Sequence, residues 1–193
     1  MRILVVYAHP VETSFNAVTH RTVVDNLKAA GHVIDDCDLY AEGFNPVMGR
    51  EERINYHDEA ICQVPVQSYV DRLLAAEALV LVHPVWNFGY PAILKGFMDR
   101  VLVPGVAFRL IDGNVKPHLF NIRKLGAVVT YGSSRLRATL LGDPPRRLTK
   151  RALRAIIHPM ARTVYLPLYD MNRNTESTRT AFVEKVAATM RSF

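Results

Sequence analysis

Ala8-His9-Pro10-Val11-Glu12-Thr13-Ser14-Phe15-Asn16 joins a short apolar run to a helical pattern. Thr13 or Ser14 supplies a hydroxyl to cap that helix, and the remaining first-turn N–H groups then point outward unpaired. Unpaired amides at the positive end of a helix make an anion site suited to a phosphate, and His9 adds a further donor. The plainer alternative is that Ser14 only caps and His9 only ends a strand. Neither GxGxxG nor GxxxxGK[ST] occurs, so the standard dinucleotide fingerprint and the P-loop are both absent.

A second segment, Pro84-Val85-Trp86-Asn87-Phe88-Gly89-Tyr90-Pro91, puts three aromatics into one turn. Aromatics left bare on a surface are costly, so they face a ligand or tuck back onto the core. Backbone amides of such a turn can bond the edge of a planar heterocycle while Trp86 or Phe88 packs beside it. A third segment, Thr130-Tyr131-Gly132-Ser133-Ser134, is small and polar, and Gly132 lets backbone approach a ring closely.

These segments follow apolar runs that read as buried parallel strands: Ile3–Ala8, Ala78–His83, Leu125–Tyr131 and Thr163–Leu168. A more polar run, His32–Leu39, reads as an edge strand. Helical patterns lie between them, at Ser14–Ala30, Val66–Ala76, Pro91–Leu102, Leu148–Ile157 and Ser177–Arg191, with Pro91 in a first-turn position and Gly31 as a stop. Alternating strands and helices predict an α/β fold with right-handed crossovers. The expected architecture is a three-layer α/β/α sandwich with a five-stranded parallel sheet in the flavodoxin-like order 2-1-3-4-5. A ligand crevice then lies at the switch point where the loops after strands 1, 3 and 4 converge.

Composition supports one domain over 1–193: 49% hydrophobic and 22% charged residues, with no repeat or linker. No apolar run is long enough for a membrane span, and the start of the chain shows no leader pattern. Two cysteines, Cys37 and Cys62, offer neither a disulfide framework nor a metal motif, so a reduced, cytoplasmic protein with no metal is expected. The net charge of +6 raises the question of nucleic acid. No helix-turn-helix, RNA-recognition or zinc-finger pattern answers it, and no nucleic-acid partner is expected.

Three stretches, AHPVETSFN (8–16), DLYAEGFNP (38–46) and HPVWNFGYPAILKGFMDRV (83–101), with a looser TYGS turn at 130–133, resemble the NAD(P)H:quinone oxidoreductase branch of the flavodoxin-like flavoproteins. The resemblance implies a bound FAD, with FMN as the alternative, NAD(P)H as electron donor, a quinone, azo or nitro compound as small acceptor, and a homodimer. It places His9, Phe15 and Asn16 at the flavin's phosphate side with Thr13 and Ser14 beside them. Pro84, Val85, Trp86, Asn87 and Phe88 line the isoalloxazine, and Thr130, Tyr131, Gly132 and Ser133 close its other edge. The hydride chemistry belongs to the flavin, so no side chain is assigned a catalytic role. The Tyr and His that mammalian members carry shortly after the turn matching TYGS are replaced here by Ser134-Arg135-Leu136-Arg137-Ala138, where Arg135 offers positive charge. Some relatives are ancillary subunits of potassium efflux systems, and flavodoxins are electron carriers. A regulatory or electron-transfer module is therefore the alternative function. The basic stretch 135–154 is a solvated face or a phosphate contact, with Arg147, Lys150, Arg151 and Arg154 expected on one helical face.

Overall fold

The computed structural model describes all 193 residues. Its main sheet has five parallel strands: β1 (Arg2–Tyr7), β2 (Val33–Asp38), β3 (Ala78–Val85), β6 (Lys124–Tyr131) and β7 (Arg162–Leu168), in the order β2-β1-β3-β6-β7. Counting only these strands, that is the expected 2-1-3-4-5. Helices α1 (Phe15–Ala29) and α8 (Glu176–Arg191) cover one face; α3 (Gln67–Ala75) and α4 (Ala92–Val101) cover the other.

The continuous apolar strands work because both faces are covered. In β1, Ile3, Val5 and Tyr7 enter the core shared with Val23 and Leu27 of α1 and Phe182 and Val186 of α8. Leu4 and Val6 enter the opposite core with Val70 and Leu73 of α3 and Leu94 and Phe97 of α4. Strand β7 departs from expectation. It pairs only with β6 and is half-exposed along much of its length, not buried on both sides. Pro167 within it is the reason in sequence terms, since a residue without an N–H belongs on a sheet edge. Both cysteines are buried and unpaired.

A two-stranded hairpin, β4 (Phe108–Ile111) and β5 (Asn114–Pro117), lies outside the five-strand reading. Its turn is Asp112-Gly113 with φ of 51° and 74°, the left-handed pair that a tight hairpin demands. Pro91 caps α4 with extended backbone (φ −52°, ψ 144°) and does not sit inside the first turn. The expected single helix 148–157 is instead α6 (Pro144–Arg147), a π-helical stretch Leu148–Leu153 and α7 (Arg154–Ile156).

Two of the family-like stretches hold each other in place. Pro46, which ends 38–46, crosses helix α4 at Gly96, where a β-carbon would stand 2.3 Å from the Pro46 carbonyl oxygen. One turn on, buried Arg100 donates to Glu52 Oε1 from Nε at 2.8 Å and to the Asn45 carbonyl, and lies over the Phe44 ring. Glu52 belongs to a short helix, α2 (Arg50–Ile54). Much of this sequence signature is thus packing. Gly96→Ala should lower the unfolding free energy in urea by roughly 2–4 kcal/mol, because neither backbone can yield; an unchanged midpoint would contradict the contact.

Candidate functional site

Ser14 caps α1, its Oγ accepting the Ala17 amide at 3.1 Å. The amides of Phe15 and Asn16 have no protein acceptor, as the first turn of a helix requires. His9 Nδ1 accepts the Val11 amide at 3.1 Å, so the neutral ring carries its proton on Nε2 as a free donor. Burial lowers the His9 pKa, which keeps the ring neutral at pH 7. The imidazole lies 5.8 Å from the Trp86 ring, joining the loop after β1 to the loop after β3.

Trp86-Asn87-Phe88-Gly89 is a tight turn closed by the Gly89 amide on the Trp86 carbonyl at 2.9 Å. Asn87 and Phe88 have φ of 47° and 58°. Both central residues are left-handed, which costs Phe88 about 1–2 kcal/mol relative to glycine. Strain of this kind aims groups: the amides of Asn87 and Phe88 donate to no protein atom, and Trp86 stays 41% exposed. Tyr90 turns inward, its hydroxyl donating to Thr149 Oγ1 at 2.8 Å, with burial raising its pKa to about 12. The aromatic loop thus divides, with Trp86 outward and Phe88 and Tyr90 half-buried, the Tyr90 ring packed against the core.

Asn16 ties the third loop in. Its Nδ2 donates to Thr130 Oγ1 at 2.7 Å across the sheet edge, and its buried Oδ1 has no partner. Gly132 is exposed and open, since a β-carbon there would meet only Asn172 at 3.9 Å. Its φ is not positive, so openness rather than backbone freedom is its contribution. Tyr131 is fully buried; its hydroxyl donates to Asp143 Oδ1 at 2.7 Å and accepts from Tyr165, so only its backbone faces the crevice. The segment after β7 closes on this loop, with the Met171 amide on the Tyr131 carbonyl and the Asp170 amide on the Ser133 carbonyl. Sequence reading missed it, although a loop after the fifth parallel strand was the available signal.

The structure therefore gathers His9, Ser14, Asn16, Val85, Trp86, Asn87, Phe88, Thr130, Gly132 and Ser133 at the carboxyl edge of β1, β3 and β6. Thr13 is exposed in the same first loop. Pro84 is buried within β3, and Phe15 packs against Phe182 of α8 at 6.4 Å between ring centres. Arg135 is exposed on α5 (Arg135–Leu140). No group of three or more His, Cys, Asp or Glu side chains is arranged to hold a metal ion.

A family model described as flavodoxin-like fold matches residues 1–190. The chain belongs to this flavodoxin-like family. An uncharacterized NAD(P)H oxidoreductase of Haemophilus influenzae is 33% identical over 135 residues, 69% of this chain and 66% of that one. The quinone-type NAD(P)H dehydrogenase 1 of Rattus norvegicus is 34% identical over 148 residues, 68% of this chain and 54% of that one. The flavodoxin-like chain thus spans about half to two-thirds of the curated relatives it matches. Both names agree with the NAD(P)H:quinone oxidoreductase resemblance of the loop motifs. Among solved structures, Smu.1420 from Streptococcus mutans superposes with a TM-score of 0.85 at 29% identity, covering 100% of both chains. An NAD(P)H:quinone oxidoreductase from Methanothermobacter marburgensis gives 0.86 at 21% identity over 99% of this chain and 98% of that one, which speaks for the fold.

Beneath the site, His83 is fully buried against Tyr90 at 4.9 Å, its Nδ1 donating to the Pro84 carbonyl and its Nε2 unpartnered. Burial lowers its pKa from 6.5 to about 4. The unfolded chain then binds the extra proton first, so stability is lost as pH falls from 6.5 and the loss levels off near 4. His83→Gln should flatten that part of a urea-midpoint profile, by at most about 1.4 kcal/mol per pH unit; an identical slope in both proteins would remove His83 as the cause.

Proposed function

We propose that this chain is a flavin-dependent NAD(P)H oxidoreductase that passes electrons to a quinone or similar small acceptor. The observation that carries the reading is the pinning of three loops into one crevice, His9 against Trp86 and Asn16 on Thr130, with free amides between them. The residues fit the group. The Phe15 and Asn16 amides and His9 Nε2–H suit a phosphate, with Thr13 and Ser14 alongside. The unpartnered Asn16 Oδ1 suits a hydroxyl of the ribityl chain. Trp86 offers a flat apolar wall and the Asn87 and Phe88 amides offer donors to a heterocycle edge, while Gly132 and Ser133 leave the facing side open. Thr130 and Tyr131 act through position and backbone.

A bound flavin supplies the two-electron chemistry, taking a hydride from the nicotinamide and giving it up to the acceptor. The protein's part is to orient the ring and to present donors in fixed places, which the strained turn does before any ligand arrives. The Ser14-Phe15-Asn16 motif favours FAD, whereas an FMN-dependent NADH-azoreductase of Bacillus anthracis, 14% identical with a TM-score of 0.79, was solved with FMN. The three loops address the ring, ribityl chain and first phosphate that both flavins share. A homodimer in a reducing, cytoplasmic setting completes the proposal, as the resemblance of the loop motifs implies.

Purified protein should carry, or take up, one flavin per chain, and heat release followed by mass measurement should identify it. It should then oxidise NAD(P)H with menadione. A chain that binds neither FMN nor FAD sinks the reading; flavin binding with negligible turnover moves it to the regulatory or carrier role. Phe88→Gly creates an Asn-Gly turn, so the unfolding free energy should hold or rise by up to about 1 kcal/mol. Flavin affinity should nevertheless fall at least tenfold in a fluorescence titration, and undiminished affinity would show that the ring takes no part.

A further inference from the structure

The seven cations of residues 135–154 stand against Asp143 alone, a net +6 that equals the net charge of the whole chain. All the excess positive charge therefore belongs to one segment. Four of these cations, Arg146, Arg147, Lys150 and Arg151, line a cleft of about 430 Å³ with Thr139, Gly142 and Asp143, and no apolar side chain contributes. Arg154, expected on the same face, leaves it and bonds the His158 and Pro159 carbonyls.

Local structure explains the cleft. Helix α5 ends in a paired C-cap, with the Gly142 amide on the Thr139 carbonyl and the Asp143 amide on the Ala138 carbonyl. Gly142 and Asp143 are both left-handed, with φ of 83° and 44°. Pro144 then starts a new helix in a new direction. The π-helical stretch Leu148–Leu153 follows it, and Arg151 from that stretch lines the same cleft as Arg146.

None of the four cations has a carboxylate within ion-pair distance, whereas Arg72 and Arg100 elsewhere are paired. Asp143 is the one acid in the cleft; it is buried, and its oxygens accept from Tyr131 at 2.7 Å and Tyr169 at 3.4 Å. The same bonds tie the cleft to the site. Tyr131 ends β6 at the crevice, and Tyr90 of the aromatic loop donates to Thr149, which donates to the Pro145 carbonyl. A wall one tyrosine side chain from the crevice thus presents four unpaired cations and nothing that would hold a ring.

We propose that this cleft binds a phosphate monoester dianion, the 2′-phosphate of NADPH, and so selects NADPH over NADH; the identity of the ligand rests on the oxidoreductase reading. Guanidinium groups match phosphate oxygens in pairs, and the diphosphate bridge, common to both donors, offers no such discrimination.

Calorimetric titration of the purified protein at low ionic strength should give a Kd for NADP⁺ at least tenfold below that for NAD⁺, with inorganic phosphate competing. In the double variant Arg147→Gln/Arg151→Gln the preference should vanish while NAD⁺ binding holds. Lys185→Gln, an exposed cation on α8, should leave the preference intact. With menadione as acceptor, the double variant should raise the KM for NADPH at least tenfold with kcat and the KM for NADH unchanged. Equal affinities for the two nucleotides in the parent protein overturn the proposal, as does a preference that survives in the double variant. An oligonucleotide that displaces NADP⁺ more strongly than phosphate does also overturns it. The calorimetric ratio needs no turnover, so failure of the oxidoreductase reading is seen separately, in the flavin and menadione assays.

Discussion

The register between β1, β3 and β6 is the constraint on which the site depends. Leu4 stands opposite Leu79, and Leu79 opposite Leu125, all on the same face, with Val5, Val80 and Gly126 on the other. A slip by one residue in any strand would turn its whole apolar set to the wrong core. Because both faces are buried, that slip is forbidden at the cost of several side chains at once. The strand ends are therefore fixed, and with them the positions where the chain leaves the sheet. His9 meets Trp86, and Asn16 meets Thr130, because those exits are neighbours.

On this frame, polar and strained groups are placed unevenly. Arg72 and Arg100 are satisfied by carboxylates and carbonyls, and they bind loops to helices. Arg146, Arg147, Lys150 and Arg151 around the π-helical turn have no carboxylate partner. Left-handed non-glycine residues are likewise few, and Asn87, Phe88 and Asp143 border either the crevice or the basic cleft. At Asn87 and Phe88 the strain is retained where it directs free amides outward, and the buried sheet beneath is what holds it there.

The matched stretches also separate by role. In 83–101, the first half forms the aromatic turn, while Gly96 and Arg100 in the second half fasten α4 to the crossing chain at Asn45–Pro46. A motif that reads as one functional signature is half crevice surface and half fastening. The fastening holds α4 in place, and α4 follows directly from the aromatic loop.

The residue order by itself determined the five sheet strands, their parallel order and the edge on which the loops converge, because apolar periodicity and helix caps are local signals read within a few residues. It also narrowed the cap of α1 to Thr13 or Ser14, which needs only a hydroxyl before a helix, and the structure uses Ser14. Tertiary structure alone decided which aromatics of Trp86, Phe88 and Tyr90 face out, since Tyr90 turns inward toward Thr149, fifty-nine residues away. It alone buried Tyr131 against Asp143 and took Arg154 off the basic face. Those outcomes depend on partners distant in sequence and on a helix that changes its winding, and neither is visible in a window of neighbouring residues. The edge position of β7 and the Asp112-Gly113 hairpin lay between the two: Pro167 and the Asp-Gly pair were local signals for them, and the fold made each necessary.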